Sequence, residues 1–64
     1  MKRAEWTKGM KNHGRSRVRL RFSGEIHYRT VYEDSDGRTW IDFYDQKVEV
    51  DQTMWGDYRT VCLY

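Results

Sequence analysis

The sequence predicts an all-β domain: an antiparallel meander of about five strands curled into a small SH3-like or OB-like barrel. Three observations carry this. Over residues 15–22 arginine alternates without a fault with Ser16, Val18, Leu20 and Phe22, and turn signals recur at short intervals after them. No stretch has the 3.6-residue apolar period of a helix long enough to cover a sheet. An apolar sheet face with no helix to cover it must close on itself, and a barrel does that.

Taken in order, residues 1–14 are basic, contain Gly9 and Gly14 and show no clear period. They are expected as a flexible arm, with a short helix over residues 4–10 as the alternative, and the barrel domain is expected over 15–64. In the first strand Ser16, Val18, Leu20 and Phe22 point one way, and Arg15, Arg17, Arg19 and Arg21 the other. A three-residue loop over 23–25 leads into a second strand over 26–33. It pairs Phe22 with Ile26, Leu20 with Tyr28 and Val18 with Thr30, whereas a two-residue turn would set core against charge.

Asp34-Ser35-Asp36-Gly37 is the next turn, with Asx side chains to bond the backbone and a glycine for positive φ. With Glu33 and Arg38 flanking it, Tyr32 meets Thr39, Thr30 meets Ile41 and Tyr28 meets Phe43. A turn at Asp45-Gln46 then sets Phe43 against Val48 and Ile41 against Val50. The expected inner face is Val18, Leu20, Phe22, Ile26, Tyr28, Tyr32, Ile41, Phe43, Val48 and Val50. A fifth strand over about 58–63 adds Val61 and Leu63, after a linking stretch through Trp55 and Gly56.

Charge is divided along the chain. Up to Gly24 eight Lys/Arg face one acid, Glu5; from Glu25 onward four face nine acids, which the net +2 conceals. Such a division speaks of partners and makes a polyanion the first candidate. In the expected register the outer face has three rows: Arg21, His27, Tyr44, Lys47; then Arg19, Arg29, Asp42, Glu49; then Arg17, Val31, Trp40, Asp51. Cations beside exposed rings suit single-stranded RNA or DNA, with phosphates on Arg17, Arg19, Arg21, Arg29, His27 and Lys47 and bases stacked on Trp40 and Tyr44. Opposing Arg19 and Arg29 directly is unfavourable, and a ligand that uses both charges would account for it. Arg29 turning to Asp42 while Arg19 stays solvated is the plainer reading. Lys2, Arg3, Lys8 and Lys11 would add phosphate contacts or simply solubilise the arm.

The rival reading uses Asp42, Asp45, Glu49, Asp51 and Asp57 with Trp55. Carboxylates flanked by aromatics imitate a nucleic-acid backbone, as in small inhibitors or adaptors of the kind that phages and mobile elements encode. The partner would then be a basic protein such as a nucleic-acid enzyme. The bland counterpart is a solvated face that neutralises the arginines.

Other features are weaker. His13, His27 and Cys62 lack metal-ligand spacing, and Cys62 has no evident base to make it a nucleophile. Asp34, Asp36 and Gly37 resemble part of a calcium loop without its later Glu. Tyr28-Arg29-Thr30-Val31 recurs as Tyr58-Arg59-Thr60-Val61, but the match stops at both ends. No RNP motif, KH loop, zinc-knuckle spacing or cold-shock signature is present. A chain of 64 residues has little room for a catalytic pocket and shows no nucleophile–base pair, so no enzyme activity and no cofactor are expected. The single cysteine suits a reducing cytoplasm, and no apolar run approaches a membrane span. The chain is expected as a monomer or weak homodimer.

Overall fold

Five strands joined by four reversals must begin and end running the same way, so a closed meander of five needs one parallel seam. The computed structural model of the protein, which describes residues 5–61, has this arrangement. A 3-10 turn, Glu5–Thr7, precedes β1 (Lys11–Arg19), β2 (Ile26–Glu33), β3 (Thr39–Phe43), β4 (Gln46–Gln52) and β5 (Tyr58–Thr60). The strands close into a barrel in chain order, with Val18 beside Tyr58 and Arg19 beside Arg59 across the parallel seam. The predicted fold class is therefore the observed one. Among the described residues there is no α-helix, and none long and apolar enough to cross a membrane. Lys2, Arg3, Cys62 and Leu63 lie outside the described residues.

The segment expected as an arm contains the 3-10 turn and the start of β1. Between Asn12↔Tyr32 and Arg15↔Thr30 one extra residue enters β1. Gly14 supplies the positive φ of this bulge (82°), and its N–H donates to Asn12 Oδ1 at 2.7 Å. The bulge shifts the phase of the strand, so Arg15, Arg17 and Arg19 all face outward after it.

One strand departs from the expected register. β2 is turned over relative to both neighbours, while β1, β3 and β4 present the expected faces. Val18 lies opposite His27 and Arg17 opposite Tyr28, and Val31 lies opposite Ile41. The loops set this phase. The first is the four-residue loop 21–24, closed by Leu20 N–H to the Glu25 carbonyl (2.8 Å) and Gly24 N–H to the Leu20 carbonyl (2.9 Å). The second is closed by Asp34 N–H donating to the Arg38 carbonyl at 2.9 Å, with Gly37 at φ 82°. Each differs from the expected loop by an odd shift in pairing, and an odd shift inverts every side chain.

The expected core is corrected accordingly. Phe22 is 74% exposed and Tyr28 54%, and Ile26 is only half-buried. Val31, Tyr58 and Thr60 take interior places instead. Tyr32 is buried on the outer side, with Trp6 edge-on at 5.7 Å. Val61 follows β5 and is half-buried. Barrel width grows with strand number, so a five-stranded interior is narrow. Val18, Val31, Ile41 and Val50 fill it, within a buried cluster that also holds Leu20, Val48 and two rings, Phe43 and Tyr58. Adding Phe22, Ile26, Tyr28 and Tyr32 to that space would overpack it.

The β3–β4 turn is Tyr44-Asp45, both at positive φ (50° and 67°), as a two-residue hairpin of the primed type needs. Phe43 thus pairs with Gln46 and Ile41 with Val48, and Gln46 belongs to the strand rather than the turn. This shift is by two residues, so the faces survive. The stretch 53–57 is a tight hairpin loop between Gln52 and Tyr58, closed by Thr53 N–H to the Asp57 carbonyl at 2.7 Å.

Candidate functional site

The outward arginines of β1 meet Arg59 of β5 across the parallel seam. Tyr58 and Thr60 point into the barrel, so the alternation of β5 sends Arg59 out, beside Arg19. Arg21 continues the row past the strand end. Its backbone N–H donates to Thr60 Oγ1 (2.9 Å) and its Nη1 to the Val61 carbonyl (2.5 Å), which ties it to the end of β5.

Arg17, Arg19, Arg21 and Arg59 line a groove of about 620 Å³. Thr53, Trp55, Asp57 and Tyr58 complete its wall from the β4–β5 side. Trp55 is 83% exposed there and Met54 beside it 89%. On the opposite flank the exposed Tyr28 stands next to Arg17, and Ile26 next to Arg19. Alternate residues of a strand repeat about every 6.6 Å, so the cations form a regular row.

No carboxylate among the described residues makes a direct ion pair with this row. Among the described residues no Lys or Arg forms an ion pair with Asp or Glu; the two imidazole–carboxylate contacts, ionic only where the imidazole is protonated, are His13–Glu33 (2.6 Å) and His27–Glu25 (3.5 Å). Asp51 lies across from Arg59 in the β4–β5 ladder without pairing to it. Like charges side by side cost about 0.2–1 kcal/mol per pair. Their field adds up in the groove they share.

The remaining sequence-derived candidates separate into three other places. His27 and Arg29 belong to the inward side of β2, beyond the last β2–β3 pair, and close over Phe43. The His27 ring stands edge-on to it at 5.2 Å, and the Arg29 guanidinium lies 5.4 Å from the Phe43 ring and 5.2 Å from that of Tyr44. Arg29 Nη1 donates to the Tyr28 carbonyl at 2.9 Å. The expected Arg19–Arg29 opposition therefore does not exist, because the inverted β2 carries Arg29 to the other side of the sheet; Arg59 takes its place beside Arg19. Tyr44 is held in the β3–β4 turn and does not stand next to the arginine row.

Trp40 and Lys47 form the second place. The Lys47 ammonium sits 4.3 Å from the Trp40 ring and 5.6 Å from that of Trp6. Trp40 Nε1 donates to Asp34 Oδ2 at 3.0 Å. That bond, more than any other, holds the Asp34 carboxyl below its ordinary value near 3.8. The Arg38 and Asp36 N–H groups and the charge of Lys47 act in the same direction, against desolvation. Trp40 is thus a strut between the β2–β3 turn and β4, with its ring covered rather than offered to a base.

The acidic set is the third, and it does not form one surface. Asp42 and Glu49 lie on the outer side of β3 and β4, opposite Lys47 and Trp40. Asp51 borders the groove beside Arg59, and Asp45 is in the β3–β4 turn. Trp55 and Asp57 belong to the arginine groove itself.

Arg59, Tyr28 and the contribution of Trp55 were not assigned to the basic surface from sequence. A signal for Arg59 exists: the Tyr58-Arg59-Thr60 alternation, together with the parallel seam that five strands impose, puts it beside Arg19. Comparison with protein-family models, with curated proteins and with solved structures gives no match. What the site can do therefore has to be read from its own side chains.

Proposed function

We propose that the protein is a non-catalytic nucleic-acid-binding module that takes single-stranded RNA or DNA along the β1–β5 groove. Arg17, Arg19, Arg21 and Arg59 contact phosphates, and Trp55, with Tyr28 on the other flank, provides stacking surfaces. The observation that carries this is the row of guanidinium groups with no ion-paired carboxylate among the described residues, opening on one groove beside a largely exposed indole. The rival inhibitor surface loses Trp55 and Asp57 to that groove, which leaves its acids scattered.

Salt dependence tests the proposal. Four phosphate contacts to a single strand give a slope of log K against log salt of about −2.8, a loss of roughly fiftyfold between 50 and 200 mM. Arg19→Ala with Arg59→Ala should halve the slope to about −1.4. Arg29→Ala should leave it unchanged. If neither RNA nor DNA is bound at 50 mM salt, while nuclease-treated lysate yields a protein partner lost on neutralising Asp42, Glu49 and Asp51, the inhibitor reading replaces this one.

A further inference from the structure

We propose that the groove reads one base of its ligand, a guanine, through the carboxylate of Asp57; this rests on the nucleic-acid reading above. Asp57 is the one acid among the described residues lining the groove. A carboxylate there weakens attraction to every polyanion alike, so it is out of place in a surface that only tracks phosphates. It is not neutralised by its neighbours, since it forms no ion pair with any of the arginines.

Its position is set by the loop. Asp57 Oδ1 accepts the Thr53 hydroxyl, and the Asp57 carbonyl accepts the Thr53 N–H at 2.7 Å. Thr53 Oγ1 also accepts the Trp55 N–H at 3.2 Å, so one threonine orders both the carboxylate and the residue that bears the indole. Trp55 and Asp57 then face the same groove from the same five-residue hairpin loop. A base stacked on Trp55 would present its hydrogen-bonding edge sideways, in its own plane, within the groove that Asp57 also lines.

An ionised carboxylate only accepts hydrogen bonds. Guanine alone offers two adjacent donors on its Watson–Crick edge, N1–H and the N2 amino group, matching two carboxylate oxygens. Uracil and thymine set one N–H between two carbonyl oxygens, and adenine and cytosine place a ring acceptor beside the amino group. Each of those edges turns a lone pair towards the carboxylate and leaves it under-satisfied. The arginines then supply affinity and Asp57 supplies choice, the division of labour seen between backbone and base contacts in general.

The test is fluorescence anisotropy at 50 mM salt with labelled nine-nucleotide oligouridine and its variants carrying one central guanine, adenine, cytosine or hypoxanthine. Ribose and deoxyribose versions run in parallel, because the guanine edge is the same on both. The guanine oligonucleotide should bind at least about fivefold more tightly than the others. Hypoxanthine, which keeps N1–H and lacks the amino group, should fall between. Asp57→Asn keeps an oxygen for the Thr53 hydroxyl but replaces the other by a donor. It should abolish the preference, so that the guanine oligonucleotide and oligouridine bind this variant within about twofold of each other. Equal affinity of the unaltered protein for every sequence overturns the guanine assignment and leaves the groove reading standing. A preference that persists in Asp57→Asn overturns the role of Asp57. Absence of binding to every oligonucleotide overturns both.

Discussion

Replacing the two tryptophans separately distinguishes a ring that binds from a ring that braces. The Trp55 ring is 83% exposed and its indole nitrogen makes no hydrogen bond among the described residues; only its backbone N–H, which survives substitution, is used. Trp55→Ala should therefore change stability by less than about 0.5 kcal/mol. If a base stacks on it, the same change costs about 1–3 kcal/mol of binding, roughly 5- to 150-fold in Kd, with the salt slope intact. Trp40→Ala should do the reverse. It removes the bond to Asp34, the ring beneath Lys47, worth about 0.5–1 kcal/mol, and the half-buried area of the indole, worth about 1 kcal/mol or more. A loss of about 2 kcal/mol lowers the melting temperature of so small a domain by roughly 10 °C. Binding measured well below the melting temperature should change less than about twofold, since Trp40 does not line the proposed groove. Anisotropy titrations and thermal unfolding by circular dichroism on both variants settle the matter. A Trp40→Ala protein that stays stable and loses affinity, beside a Trp55→Ala protein that binds normally, would refute the placement of the site.

Other expectations follow from packing, backbone and charge. Val31→Ala should cost about 2 kcal/mol in denaturant unfolding, for a fully buried side chain, and Tyr28→Ala less than about 1 kcal/mol; the opposite order would restore the expected face of β2. Gly14→Ala, at φ 82° with nothing within 4 Å of the added carbon, should cost about 1–2 kcal/mol through backbone strain alone, read by the same unfolding curve. The Asp34 carboxyl is depressed in the folded state, so its stabilising contribution is complete above the unfolded value of about 3.9 and is lost as pH falls through the lower folded value. The melting-temperature gap between the parent and Asp34→Ala should be flat above pH 5 and shrink on further acidification. A gap that widens in acid would contradict the direction of the shift.

Much of this architecture could be read from local pattern. The Arg15–Leu20 alternation identifies β1 and puts three arginines outside; Ile41, Phe43, Val48 and Val50 mark the interior side of β3 and β4. The turns around Gly24, Gly37 and residues 44–46 fall near where glycine, Asx and polar clusters place them. Strand periodicity is a property of the backbone, visible in a few consecutive residues.

The phase of β2 is not visible in that way. Its two sides, Ile26-Tyr28-Thr30-Tyr32 and His27-Arg29-Val31-Glu33, both carry apolar and polar groups, and the more apolar side faces outward. Two loops, each off by an odd shift in pairing, and an interior too narrow for four more bulky side chains decide it together. That decision moves Arg29 and His27 off the basic surface. Closure of the barrel brings in Arg59, Trp55 and Asp57 from the far end of the chain to replace them. What the sequence determined was the strand set, the direction of each arginine on β1 and the division of charge. Which residues stand beside those arginines was decided only by tertiary structure, because neighbours across a closed sheet depend on how all five strands fill one small core.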